Sequence, residues 1–194
     1  MKNGKIITPA LFSTPNVSWA HTTRNHEVNC YALENGMLYA IGYFSTNEPY
    51  VKYEIEYPGK EAPRGTTLFP GCELLFEGSK HYIVADVTPF GSEKDIYTIE
   101  GDYYVESKGT YRSGVVVFNH KSGEKAICLT IDSKGVANVV EIEGKVKDIK
   151  QDVLAVVKSD GKCGLMNTKG EQLMPFEYDG FTLDTENNSE IFMG

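Results

Sequence analysis

The stretch DGKCGLMNTKGEQLMPFEYDGF, residues 160–181, decides the fold. Two glycine-bearing turns, Ser159-Asp160-Gly161 and Asn167-Thr168-Lys169-Gly170, enclose the short apolar run Cys163 to Met166. Ahead of the first turn stands Ala155-Val156-Val157, a run rich in β-branched residues. Such residues favour pleated backbone, and glycine supplies the positive φ that tight turns need, so the segment reads as a β-hairpin followed by a second turn.

The unit recurs upstream. Laying KAICLTIDSKG (125–135) over DGKCGLMNTKG (160–170) matches Cys128 with Cys163, Ile131 with Met166, Asp132 with Asn167, and Lys134-Gly135 with Lys169-Gly170, all at an offset of 35 residues. A fainter trace lies in DIYTIEGD, where Gly101 precedes Gly135 by 34 residues. A fixed period of this size marks supersecondary units that bury their apolar faces only by stacking on one another.

On these residues the segment 146–181, VKDIKQDVLAVVKSDGKCGLMNTKGEQLMPFEYDGF, resembles a WG repeat, a bacterial β-hairpin repeat, and residues 111–149 resemble a degenerate copy with Val115-Val116-Val117 as first strand. Where that family places its Trp, this chain has Cys163 and Cys128, which implies a smaller and rearranged hairpin plug. The resemblance implies stacked hairpins as scaffold and carries no activity. Tyr178-Asp179 opens another unit, with Ile191-Phe192-Met193 as its first strand, so the chain reads as ending after half a repeat. Glu177, Asp179, Asp184, Glu186 and Glu190 then guard the terminal edge against stray strand pairing.

The N-terminal half shows no alignable copy. Residues 28–33, 37–44, 51–56, 73–76 and 81–86 read as strands because β-branched and aromatic residues alternate or cluster between Gly, Pro and Asn turns. Glu34-Asn35-Gly36 is a hairpin turn, and Pro58 to Gly65 is a Pro- and Gly-rich loop. Only residues 16–23, around the single Trp19, are ambiguous, being compatible with one helical turn. The expectation is an all-β protein: an antiparallel sheet region at 1–95 and a WG-like repeat region at 96–194, within one continuous domain or two.

Composition bounds the function. With 41% hydrophobic and 24% charged residues the chain has the make-up of a folded protein, and its formal charge of −8 disfavours direct binding to nucleic acid. The four cysteines show no C-x-x-C pair and no nearby histidine cluster, so free buried thiols, no metal and no cofactor are expected. Residues 1–12 lack the apolar core of a signal peptide and no stretch is long enough to span a membrane, which points to the cytoplasm.

Two functional readings stand. Eleven of the twelve tyrosines fall between positions 31 and 111, either as strand residues or as an exposed binding face. The first reading is a non-catalytic module that binds another protein with a basic surface through Tyr39, Tyr43, Tyr53, Tyr103 and Tyr104 and the acidic residues Glu177, Asp179 and Asp184. An acidic inhibitor such as a phage counter-defence or immunity protein fits this size and charge, and a homodimer through an end strand is compatible with it. The second reading is a small-molecule or nucleotide binder, with hydrolysis included, built around Trp19, His21, Arg24 and His26, where histidine transfers protons near neutral pH and Arg24 holds an anion. His81 and Asp86 are expected on opposite strand faces, Asn119 and His120 in a solvated turn, and Cys72 in the core.

Overall fold

The computed structural model describes residues 16–21, 30–43, 49–69, 71–87, 93–106, 114–132, 134–183 and 191–193. All regular structure among them is β, and none of it is a helix long and apolar enough to cross a membrane. The chain divides into two compact units, Met1–Thr98 and Ile99–Gly194.

In the first unit β1 (Asn16–His21), β2 (Cys30–Glu34), β3 (Met37–Tyr43) and β4 (Pro49–Glu56) are followed by β5 (Arg64–Phe69), β6 (Cys72–Glu77), β7 (Lys80–Asp86) and β8 (Lys94–Glu100). They form one eight-stranded sheet in the order β4-β3-β2-β1-β5-β6-β7-β8, which is two up-and-down meanders joined at their first strands. The join lies in β1. Its residues 16–19 pair antiparallel with β2, and Ala20 and His21 pair parallel with Gly65 and Thr66 of β5. Residues 16–21 of the segment that is ambiguous in sequence are therefore a strand and not a helical turn, because their partners lie too far along the chain for local periodicity to show them. The Pro58 to Gly65 loop is likewise shorter than expected, ending where β5 begins at Arg64.

The second unit repeats the module. β9 (Tyr103–Val105), β10 (Val115–His120), β11 (Lys125–Asp132) and β12 (Gly135–Glu143) form one antiparallel four-stranded sheet, and β13 (Lys145–Lys150), β14 (Val153–Val157), β15 (Cys163–Asn167) and β16 (Gln172–Tyr178) form the next. A last hairpin pairs β17 (Phe181–Leu183) with β18 (Ile191–Met193). Cys128 and Cys163 occupy the third strands, β11 and β15, so the 35-residue offset relates equivalent strands. The structural unit is thus the four-stranded meander, with the hairpin seen in the sequence at its centre.

Turn chemistry follows the sequence. Asn35 and Gly36 both adopt positive φ, 52° and 80°, the pair a two-residue hairpin turn requires. Gly144, at φ 110°, passes the chain from β12 into β13 so closely that a Cβ would lie 2.4 Å from the Val157 carbonyl oxygen.

Within each unit the meanders pack face to face, and the two interfaces use different chemistry. In the second unit Val115, Val117, Ala126, Cys128 and Ile142 meet Val146, Ile149, Leu154 and Val156. Each of the Val, Leu and Ile side chains contributes about 1.5–3 kcal/mol on leaving water. Asn119, fully buried at the end of β10, makes a polar bridge there: it donates from Nδ2 to the Val146 carbonyl at 2.8 Å and accepts from the Val146 N–H at 2.9 Å, while Asn138 Nδ2 of β12 donates to the Thr168 carbonyl at 3.2 Å. Asn119 and His120 are strand residues of β10, contrary to the solvated turn expected of them.

Candidate functional site

Four of the twelve tyrosines go to the first unit's interface. Tyr31, Leu33, Leu38, Ala40 and Tyr53 from the first meander pack against Leu75, Tyr82 and Val84 of the second, with Tyr57 beside them. Residues 73, 75 and 77 of β6 share one face, so Glu73 and Glu77 are carried into this interface with Leu75. Both carboxylates are met by phenols. Tyr31 and Tyr53 each donate to Glu73 Oε2, at 2.6 and 2.7 Å, while Lys52 Nζ stands 3.5 Å from Oε1. Tyr57 and Tyr82 donate to Glu77 Oε2 at 3.1 and 3.4 Å, and the Lys60 N–H donates to Oε1 at 2.9 Å.

Burial pushes the phenols of Tyr31, Tyr53 and Tyr57 well above the usual tyrosine range. The adjoining Glu73 raises Tyr31 and Tyr53 further, and Tyr82 and Glu77 do the same for Tyr57. Protonated phenols are the form that donates, so burial and hydrogen bonding act in the same direction and fix two polar bridges between the meanders. Tyr53 is only 5% exposed and forms no part of an exposed binding face. Tyr103 is also buried, its ring edge-on to His120 with centroids 5.0 Å apart and the Lys125 ammonium 5.7 Å from its centre.

The remaining candidates are dispersed. Tyr104 is half-buried beside Lys145, whose ammonium lies 5.7 Å from the ring centre and whose pKa rises through a hydrogen bond with that tyrosine. Glu177 is exposed on β16. Asp179 pairs with Lys162 at 2.6 Å, which lowers the pKa of the carboxyl and raises that of the ammonium. Tyr39 is half-buried opposite Glu54 in the β3–β4 ladder. The backbone of Tyr43 pairs with Pro49, and those of Trp19 and His21 pair with Cys30 and Thr66, but the side chains of Tyr43, Trp19 and His21 lie outside the described residues. Arg24, His26 and Asp184 lie outside them entirely.

The cysteines are free and buried. Burial raises the Cys30 and Cys72 thiols and pushes that of Cys128 up to about 12, so these are packing groups in the thiol form. His81 is buried against the Phe76 ring, and Asp86 bonds to Lys94, so the two make no dyad. Among the described residues no cluster of three His, Cys, Asp or Glu has metal-binding geometry.

Two clefts stand out. One, of about 640 Å³, lies in the first unit over Glu61, Ala62, Arg64, Thr66, Phe76 and Gly78. The other, of about 330 Å³, lies in the second unit over Lys147, Ala155, Val157, Cys163 and Asp179. Sequence reasoning passed over the first cleft, because Arg64 sits at the end of a Pro- and Gly-rich segment that reads as an undistinguished loop.

No protein-family model matches the chain, and no curated protein does. Among solved structures it is similar to Hsv2 of Kluyveromyces lactis at 12% identity and a TM-score of 0.41, over 77% of this chain and 47% of that one. Hsv2 of Kluyveromyces marxianus is similar at 10% identity and a TM-score of 0.39, over 78% and 46%. A complex of S. cerevisiae Dbp5 with Nup159 and Gle1 also matches, at 12% identity and a TM-score of 0.37, over 93% and 43%. The chain spans about half the length of the structures it resembles.

Proposed function

We infer that this chain is a non-catalytic protein-binding module whose partner presents a basic surface. The observation that carries the reading is the outer face of β3 and β4. Among the described residues β4 pairs only with β3, and the ladder sets Met37 against Glu56, Tyr39 against Glu54 and Ile41 against Val51. Val51, Glu54 and Glu56 are exposed and Met37 and Tyr39 half-buried, so an apolar strip lies beside two carboxylates on one surface.

That combination suits a protein partner. The apolar strip and the aromatic ring supply contact area, and the carboxylates steer a cationic surface toward it. Among the described side chains, Tyr39 is the residue of the sequence-derived tyrosine set that this face carries. The WG-like repeats of residues 111–181 belong to the same reading as scaffold, and an acidic inhibitor acting in the cytoplasm, of the counter-defence or immunity kind, is the form that size and charge favour.

The test is capture of partners from a lysate of the organism that encodes the chain, comparing the parent with a Glu54→Lys, Glu56→Lys double variant, followed by light scattering on the complex. The reading requires a stoichiometric partner whose retention weakens as salt rises and fails with the charge-reversed face. Equal retention by parent and double variant removes this face from the interaction, and the absence of any stoichiometric partner removes the reading itself.

A further inference from the structure

The cleft of about 640 Å³ in the first unit holds two opposite charges that do not neutralise each other. Arg64, at the start of β5, and Glu61, in the loop before it, both line the cleft and both are exposed. Among the described residues neither side chain takes part in an ion pair or a hydrogen bond. The third charged group, Glu77, is already engaged, with Tyr57, Tyr82 and the Lys60 N–H donating to its carboxylate. Phe76 and Ala62, both half-buried, add an apolar wall, and Thr66 adds a hydroxyl.

The chain limits how far apart these charges are anchored. Three residues of backbone span at most about 10 Å, so an occupant reaching both Glu61 and Arg64 must carry its own opposite charges close together. A polyphosphate would bring several negative charges to one guanidinium and two carboxylates, and a lone basic side chain would leave Arg64 unanswered. A compact zwitterion with an apolar body answers every group. We propose that this cleft binds a free α-amino acid with an apolar side chain, its carboxylate on Arg64, its ammonium on Glu61 and its side chain against Phe76 and Ala62. The volume falls in the range usual for small-molecule sites and leaves room for bridging water. The site is separate from the β3–β4 face and independent of the protein-binding reading.

Calorimetric titration of the full chain with L-phenylalanine, L-leucine and L-methionine tests the proposal, with 3-phenylpropionate and phenethylamine as probes that each carry one charge. At least one of the amino acids should bind saturably, and L-phenylalanine at least about tenfold more tightly than either single-charge probe, one ion pair being the difference. Arg64→Gln should weaken the amino acid about tenfold and leave phenethylamine unchanged, while Glu61→Gln should do so and leave 3-phenylpropionate unchanged. Both residues are exposed, so the variants should melt with the parent by circular dichroism. Absence of saturable binding by all three amino acids, equal affinity for the single-charge probes, or parent-like binding by both variants overturns the proposal.

Discussion

Raising the pH through 10 tests the phenol–carboxylate bridges most directly, with Tyr53→Phe as the comparison. In the folded chain Tyr53 is held well above its ordinary pKa, by burial first and by the Glu73 carboxylate second. A group raised in the folded state contributes stability that is fully present below its unfolded pKa, about 10 for tyrosine, and is lost as pH rises toward the folded value. Above pH 10 the unfolded phenol ionises while the folded one stays neutral, which costs about 1.4 kcal/mol per pH unit for each such tyrosine. Tyr53→Phe removes one of these groups and also one hydrogen bond to a charged acceptor, a loss of about 2 kcal/mol at neutral pH. The variant should therefore be about 2 kcal/mol less stable than the parent up to pH 10, draw level near pH 11.5 and be the more stable above that. Urea unfolding followed by circular dichroism across this range, with absorbance near 295 nm reporting tyrosinate, measures both curves. Thiol ionisation is common to the two proteins and cancels in the difference. Parallel curves for parent and variant from pH 8 to 12 would refute the argument, since they would mean that Tyr53 ionises as readily in the fold as out of it.

Other interactions yield further expectations. Asn119→Ala strands a buried N–H and C=O at Val146, and urea unfolding should show a loss of about 2–4 kcal/mol, whereas Ser122→Ala in the adjoining exposed turn should cost less than about 0.5 kcal/mol. Gly164→Ala would place a Cβ 2.6 Å from the Phe176 ring, so the β15–β16 pairing should weaken by about 1–3 kcal/mol, seen as a lower thermal midpoint. With a disulfide reagent at pH 8, Cys163, which lines the smaller cleft, should react first, and Cys72 and Cys128 only after urea is added, as read by mass spectrometry of digested peptides.

Strands with strong alternation were legible from the sequence, and β2, β3, β4, β6 and β7 lie within a few residues of where it puts them. Two were not. Arg64-Gly65-Thr66-Thr67 in β5 has no apolar run and adjoins a Pro- and Gly-rich loop, and β1 is a strand only because β2 and β5 flank it. The tyrosine-rich region was recognised as a feature, yet its direction was not. Alternation tells which residues share a face, and only the second meander, lying against that face, makes Tyr31 and Tyr53 core residues with Glu73 as their acceptor.

The sequence by itself determined the all-β class, the central hairpins, the glycine turns and the equivalence of Cys128 with Cys163, because each of these rests on interactions between residues close along the chain. The tertiary structure alone decided that the unit has four strands, that Glu73 and Asn119 are buried bridges and Glu77 a half-buried one, and that the Arg64 and Glu61 side chains, with no partner among the described residues, share one cleft. The bridges join residues 20 or more positions apart, and the cleft is shaped by the hairpin of β5 and β6 together with the loop that precedes it. Burial of a polar group is a property of both surfaces that close over it, and the local pattern of one strand describes only one of them.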